Sequence, residues 1–230
     1  LRASEYQSTR RVTFSSSNRS YTNRIMATYA SGVAKGNWSY AFSLGRRWGN
    51  EGYQDGTFYG ANSFFAAVEK KLNDKHSLNI TGFYTPNRRG KSSPNTQEVY
   101  DLKDITYNEY WGYQEGQKRN SRVKRIAEPV FMLSHYWNFN TKTRLNSTIA
   151  YQFGALGNSR LDYAGGANPS PAYYQTLPSY FLADRDGPDL AGAYEAHQNF
   201  SADGQLDWSR LYDANITNNS NGNFAAYVLY

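Results

Sequence analysis

Between Asn37 and Gly49 the chain alternates: Trp38, Tyr40, Phe42 and Leu44 fall on one side of an extended strand, and Ser39, Ala41, Ser43 and Gly45 on the other. A sheet wetted on one side normally sets charged or bulky polar groups opposite its apolar face. Here the second face is small and nearly uncharged, which suits the inside of a barrel. The same two-residue period predicts extended segments at about 6–15, 20–32, 37–49, 62–72, 77–86, 126–139 and 143–154. A typical globular strand runs about 5 or 6 residues, whereas a tilted strand that crosses a bilayer needs about 9 to 11. These segments match the longer figure.

Most of them sort cleanly into two faces. Leu145, Ile149, Tyr151 and Phe153 oppose Asn146, Thr148, Ala150 and Gln152, while Leu78, Ile80 and Tyr84 oppose Asn79, Thr81 and Thr85. Phe83 falls on the polar side and breaks that pattern. In segment 62–72, Phe64, Ala66 and Val68 form the apolar face with Lys70 snorkelling at its end, and Glu69 and Lys71 lie opposite. Segment 126–139 is apolar on both faces, with Val130, Met132 and Tyr136 against Phe131, Leu133 and Trp137, so its inner face should be covered, as a plug covers the inside of a large barrel. Trp38, Tyr29, Tyr136 and Trp137 lie beside tight turns, and Trp48, Tyr84 and Phe153 lie where strands enter long connections, as two aromatic girdles would.

The connections alternate in length. "VAKG", "NDKH" and "NTK" are tight turns of Asn, Asp, Gly and Lys. The intervening connections are long: "NEGYQDGTFYG", the stretch 87–125, and another from Ala155 almost to the C-terminus, where an eighth strand is expected to begin at Asn223. Two of the turns repeat, since "KKLNDKHSLNITGFY" and "WNFNTKTRLNSTIAY" share an apolar residue, Asn, a cationic turn, Leu-Asn and a β-rich run ending in Tyr. Short turns at one end and long loops at the other are the mark of an outer-membrane barrel, and structureless loops of that length count against a compact soluble domain.

Composition sharpens this picture. Among 230 residues, 17% are aromatic, with 21 Tyr, and only 19% are charged. The mean hydropathy of −0.78 is low, as alternating strands make it, and no run approaches the roughly 18 apolar residues of a membrane helix. The expected fold is all-β, an antiparallel transmembrane barrel segment with long extracellular loops. Cysteine is absent, which removes disulfide frameworks, thiolate metal sites and cysteine nucleophiles. The chain shows no signal-peptide pattern, so it is expected to be a mature protein or a fragment. The net charge of +6 is carried partly by "NRRGK" and "KRNSRVKR", which lie in loop sequence without a nucleic-acid-binding signature. They read as solvated loops, or as contacts to anionic lipid headgroups.

Enzyme chemistry finds little to stand on. His76, His135 and His197 show no metal-ligand spacing, Asp101 and Asp104 are loop carboxylates, and no GxSxG or HExxH occurs. No cofactor is expected. "DRDGPD" places Asp184, Asp186 and Asp189 as a calcium candidate, although its spacing departs from the EF-hand. The long loops combine rings with hydrogen-bonding tips, and Tyr107, Tyr110, Trp111, Tyr113, Tyr173 and Tyr174 are the expected ligand-binding residues.

The runs "GRRWGNEGYQDGTFYGANSFFAAVEKKLNDKHSLNITGFYTPNRRGKSSPNTQEVYDL", "EYWGYQEGQKRNSRV", "YYQTLPSYFLADRDGPDLAGAYEAHQNF" and "GQLDWSRLYDAN" resemble the barrel region of TonB-dependent receptors of the Bacteroidetes type, over about 11–215. The resemblance implies a barrel of 22 strands in the cell outer membrane, of which this chain is a middle piece without plug or TonB box. It also implies active uptake of a nutrient. The implied partners are the rest of the barrel and plug, the TonB-ExbB-ExbD machinery, a surface lipoprotein, and outer-membrane lipid and lipopolysaccharide, with no nucleic acid. Two alternatives stay open: a small stand-alone porin-like barrel, and a soluble aromatic-rich β-sandwich that binds carbohydrate.

Overall fold

The computed structural model describes residues 2–163, 166–183, 185–217 and 226–229. Its strands are β1 (Thr9–Ser16), β2 (Asn23–Ala34), β3 (Trp38–Gly49), β4 (Tyr59–Lys71), β5 (His76–Tyr84), β6 (Asn87–Gly90), β7 (Trp111–Gln114), β8 (Gln117–Asn120), β9 (Val123–Ala127), β10 (Val130–Asn138), β11 (Arg144–Gln152), β12 (Ala155–Asn158), β13 (Leu161–Asp162) and β14 (Val228–Leu229). Its helices are α1 (Gln97–Leu102), α2 (Pro178–Leu182), α3 (Leu190–Ala202) and α4 (Trp208–Thr217). The protein is mainly antiparallel β-sheet, and it divides into two compact units.

The first unit takes in the chain up to Gly49, Tyr59–Arg88 and Arg125–Gly157. Its sheet runs β1-β2-β3-β4-β5-β10-β11, each strand antiparallel to the next, with β1 and β11 at the two ends of the path. All seven expected segments are strands of this sheet. In an antiparallel succession the turns after β2, β4 and β10 fall at one end, and the longer connections leave from the other. In the first turn Gly36 and Asn37 have φ of 75° and 63°, the left-handed region that glycine and asparagine enter at least cost.

Register sorts the side chains into rows across the sheet. Ala30, Ala41, Ala67, Thr81, Met132 and Ala150 form one row, and Ser39, Glu69, Asn79, Ser134 and Thr148 the next on the same face. On the opposite face Tyr40, Val68, Ile80, Leu133 and Ile149 align. From β2 to β5 the small and polar rows are the buried ones, while β11 is exposed throughout: Ala41 is 2% exposed and Asn79 0%, against 60% for Ile80 and 76% for Ile149. This is the reverse of a water-wetted sheet, in which the aliphatic row would be the buried one.

A short 3-10 turn, Ala3–Glu5, lies on the small face and accounts for its burial. Ala3 is fully buried among Ala30, Ala41 and Ala67, where a larger side chain on any strand would displace it. Its N–H donates to Asn79 Oδ1 at 3.2 Å, and the Ser4 N–H donates to Glu69 Oε2 at 3.1 Å. Arg2 Nη2 lies 2.6 Å from Glu69 Oε1, so the buried carboxylate is paired as burial requires. The Arg2 guanidinium also sits 4.1 Å from the Tyr136 ring centroid, and Tyr6 meets Phe65 edge-on at 6.3 Å. Thus residues 2–6 supply cover for the apolar inner face of β10. Phe83, out of pattern in the sequence, shares this face, aligned with Phe65 and Val130. Tyr136 does too, which removes it from the aromatic rim to which the sequence assigned it, because its neighbours in register are Ser77 and Asn146.

The second unit is made of the long connections: Asn50–Phe58, Arg89–Lys124 and Asn158–Tyr230. These are not structureless as expected. They hold the hairpin β7–β8, in which Trp111 pairs with Asn120 and Gln114 with Gln117, and all four helices. In α3, Ala193, Ala196 and Phe200 recur at helical spacing on the buried side, and Asp189 caps the N-terminus by accepting from the Gly192 N–H at 2.9 Å. Two clusters form the core, one of Val99, Tyr107, Leu177 and Phe200 and one of Leu206, Trp208 and Leu211. An eighth long strand from Asn223 was expected. Asn223 lies outside the described residues, and the strand that follows, β14, pairs with β13 instead.

Candidate functional site

A cleft of about 310 Å³ opens in the second unit, and it is built from the bottom by buried asparagines. Asn108, fully buried, donates to the carbonyls of Asp55 and Lys91 at 2.8 and 3.1 Å and accepts from the N–H groups of Ser93 and Tyr110 at 3.1 and 3.2 Å. One side chain therefore ties the first long connection to two stretches of the second through bonds that burial makes costly to lose. Asn120 repeats the device, donating to the carbonyls of Gly56 and Lys91 and accepting from the Arg122 N–H. Gly112 lets the next layer approach, since a Cβ there would lie 1.7 Å from the Leu206 carbonyl oxygen.

On this frame sit the groups that line the cleft. Tyr110 is held by the Ser121 N–H and hydroxyl, which donate to its carbonyl at 2.7 and 3.0 Å. The Arg122 guanidinium lies 5.1 Å from the Tyr110 ring centroid, close enough for cation–π attraction. Across the cleft, Tyr173 and Tyr174 meet edge-to-face at 4.8 Å, and Tyr173 donates its N–H to the Ser170 carbonyl. The Ser170 hydroxyl donates to the Glu109 carboxylate. The site thus combines the rings and hydroxyls of its tyrosines with one cation, one carboxylate and two serine hydroxyls. Such a surface can grip a polar organic molecule by its faces and edges. Among the described residues no group of three His, Asp or Glu could hold a metal.

Comparison with family models, curated proteins and solved structures returns no match. The site is therefore read from its own geometry.

Of the six expected ligand-binding residues, Tyr110, Tyr173 and Tyr174 line the cleft. The other three lie elsewhere. Tyr107 is 3% exposed, packs edge-on to Phe200 at 5.5 Å and donates to the Gly204 carbonyl at 2.6 Å. Burial pushes its hydroxyl above the ordinary tyrosine range. Trp111 is buried, with Lys118 Nζ 4.6 Å from its ring centroid, and Tyr113 is exposed on β7 outside the cleft. Arg122, Glu109 and Ser170 carried no distinguishing signal: Arg122 was one cation in a basic run, and its position under Tyr110 is a product of the fold. That run is also distributed into internal contacts, with Lys118 on Glu51 at 2.6 Å and Arg119 over Trp208 at 4.1 Å. In the calcium candidate, Asp189 is the cap of α3 and Asp184 lies outside the described residues.

Proposed function

We propose that the chain forms wall and outer loops of an outer-membrane β-barrel of the TonB-dependent receptor type, and that it serves the active uptake of a polar organic nutrient. One observation carries this reading: the aliphatic and aromatic face of the sheet along the path β1-β2-β3-β4-β5-β10-β11 is exposed, while its small and polar face is covered over β2 to β5. Val12 is 73% exposed, Phe14 64%, Leu44 57% and Tyr151 65%, a continuous apolar surface that water penalises at about 25 cal/mol per Å² and that hydrocarbon accepts. The strand lengths, the sorting of short and long connections, and the family resemblance of the sequence agree with it. Because β1 and β11 end the sheet path, the wall needs further strands to leave no edge in lipid. The energised step belongs to the plug and TonB, with this chain supplying the passive wall and the recognition surface.

The test is topological. Asp74→Cys lies in a tight turn and Gln198→Cys on α3, both at exposed positions. In intact cells an impermeant thiol reagent should label the second and spare the first, and permeabilised cells should label both. Equal labelling of the two in intact cells would sink the proposal.

A further inference from the structure

A groove of about 300 Å³ opens on the exposed face of β1, β2 and β3. Register places six of its lining residues on one side of the sheet: Arg10 stands opposite Tyr29 and Tyr29 opposite Phe42, while Val12 stands opposite Ala27 and Ala27 opposite Leu44; Arg11 and Thr28, paired with each other in the row between, complete the lining from the other face. Ala27 is the small member between two aliphatic neighbours, so the depression is the space a larger side chain would fill. Tyr29 and Phe42 stack at 6.5 Å and 17°, forming one wall. The single cation on this face of the groove, Arg10, lies 5.9 Å from the Tyr29 centroid, and among the described residues no carboxylate is within ion-pair distance of it.

The groove has a direction. Thr9 pairs with Ala30, and β2 ends at Ala34 just before the turn at 35–37, so the Arg10 row lies nearer the tight-turn end and the Val12 row nearer mid-sheet. That end is cationic in sequence, with Lys35, Lys70, Lys71, Lys75 and Lys142 against Asp74. An apolar trough with one cation at the rim-ward end matches an amphiphile that has one anionic group and a hydrocarbon tail directed inward. A polar solute would find no partner along Val12, Ala27 and Leu44. We propose that the groove holds an acyl chain of an anionic phospholipid whose phosphate is met by Arg10. This rests on the membrane reading above and goes beyond it, because a barrel wall needs only a generic lipid annulus.

The test compares retained lipid on the full chain purified from membranes in detergent. After delipidation, phosphatidylglycerol or phosphatidylcholine of identical chains is added, and bound lipid is counted by native mass spectrometry. One cation near an anionic headgroup should favour phosphatidylglycerol by about fivefold. Arg10→Gln should bring the two lipids level without loss of phosphatidylcholine. Ala27→Leu, which fills the trough, should lower retention of both, and inorganic phosphate should not compete. Equal retention of the two lipids by the unmodified protein, or a preference that survives Arg10→Gln, overturns the proposal. If Ala27→Leu fails to assemble, the Arg10→Gln ratio still decides. A chain released from membranes by carbonate washing would defeat the membrane reading and this one together, whereas a membrane-retained chain with level lipids would defeat this one alone.

Discussion

At the scale of single residues, the two repeated turns show how a short sequence specifies one geometry. Asn73 Oδ1 accepts from the N–H groups of Lys75 and His76 at 2.9 and 2.9 Å, and Asn140 Oδ1 from those of Lys142 and Thr143 at 2.8 and 2.9 Å. The flanking apolar residues match as well, the Leu72 N–H donating to the His76 carbonyl and the Phe139 N–H to the Thr143 carbonyl. An asparagine that bonds the backbone two and three residues on closes the turn by itself. Asn73→Ala should therefore cost about 1 kcal/mol of stability, and Asn140→Ala about the same, measured by denaturant unfolding in detergent. A loss at one turn only would show that the repeat is one of spelling. In the second unit, desolvation pushes the Glu51 carboxyl up, but hydrogen bonds from Lys118 and from the Gly56 N–H outweigh it and hold the group below its ordinary 4.5. A lowered carboxylate contributes stability that is fully present above its unfolded value and is lost as pH falls through the folded one. Acid unfolding monitored at Trp111, which Lys118 overlies, should thus steepen below pH 4.5, and Glu51→Gln should flatten that limb.

At the scale of elements, β3 states the logic of the sheet. Phe42 is 41% exposed in the row with Tyr29 and Ala66, whereas Ser43 turns to the covered face, where its hydroxyl meets that of Thr28 at 3.0 Å. If the exposed face meets lipid, Leu44→Arg, in the row nearer mid-sheet, should cost about 2 to 4 kcal/mol and Ser43→Arg less. Urea unfolding in lipid reads both, and the opposite order would invert the assignment of faces. The strands were legible because β2, β3, β4, β5, β10 and β11 each run nine or more residues and most of them alternate apolar and polar positions with period two, β10 being the strand that is apolar on both faces. The helices were not, since α1 and α2 span six and five residues and are framed by turn-forming sequence. Their stability comes from packing, as in the Val99, Leu177 and Phe200 cluster, which no local pattern announces.

At the scale of the whole molecule, the long connections fold into a unit of their own with a cleft, so recognition need not await a partner's structure to be tested. Arg122→Ala removes the cation beneath Tyr110, and Tyr173→Ala removes one stacking face. If the cleft is the binding site, each should weaken ligand binding about fivefold, the loss of about 1 kcal/mol per aromatic or cation–π contact. Thermal-shift titration of the assembled protein with sugars, short peptides and metal chelates would find the ligand class and then rank the variants. Variants that fold and keep every shift of the unmodified protein would remove the cleft from consideration as the binding site.

The sequence by itself determined the strands, their two faces, the turn chemistry and the division into short and long connections, because each depends on residues within a few positions of one another. Only the tertiary structure decided which face is covered and which aromatic residues converge. Glu69 on β4 reads as an awkward charge until Arg2, 67 positions away, pairs with it. Tyr110 and Tyr173 read as two of many tyrosines until Asn108 and Asn120 fix the loop that carries Tyr110 and the Ser170–Glu109 hydrogen bond ties the Tyr173 segment to it. Both outcomes rest on long-range contacts between buried polar groups, whose partners are set by the folded path of the chain and leave no periodic trace along it.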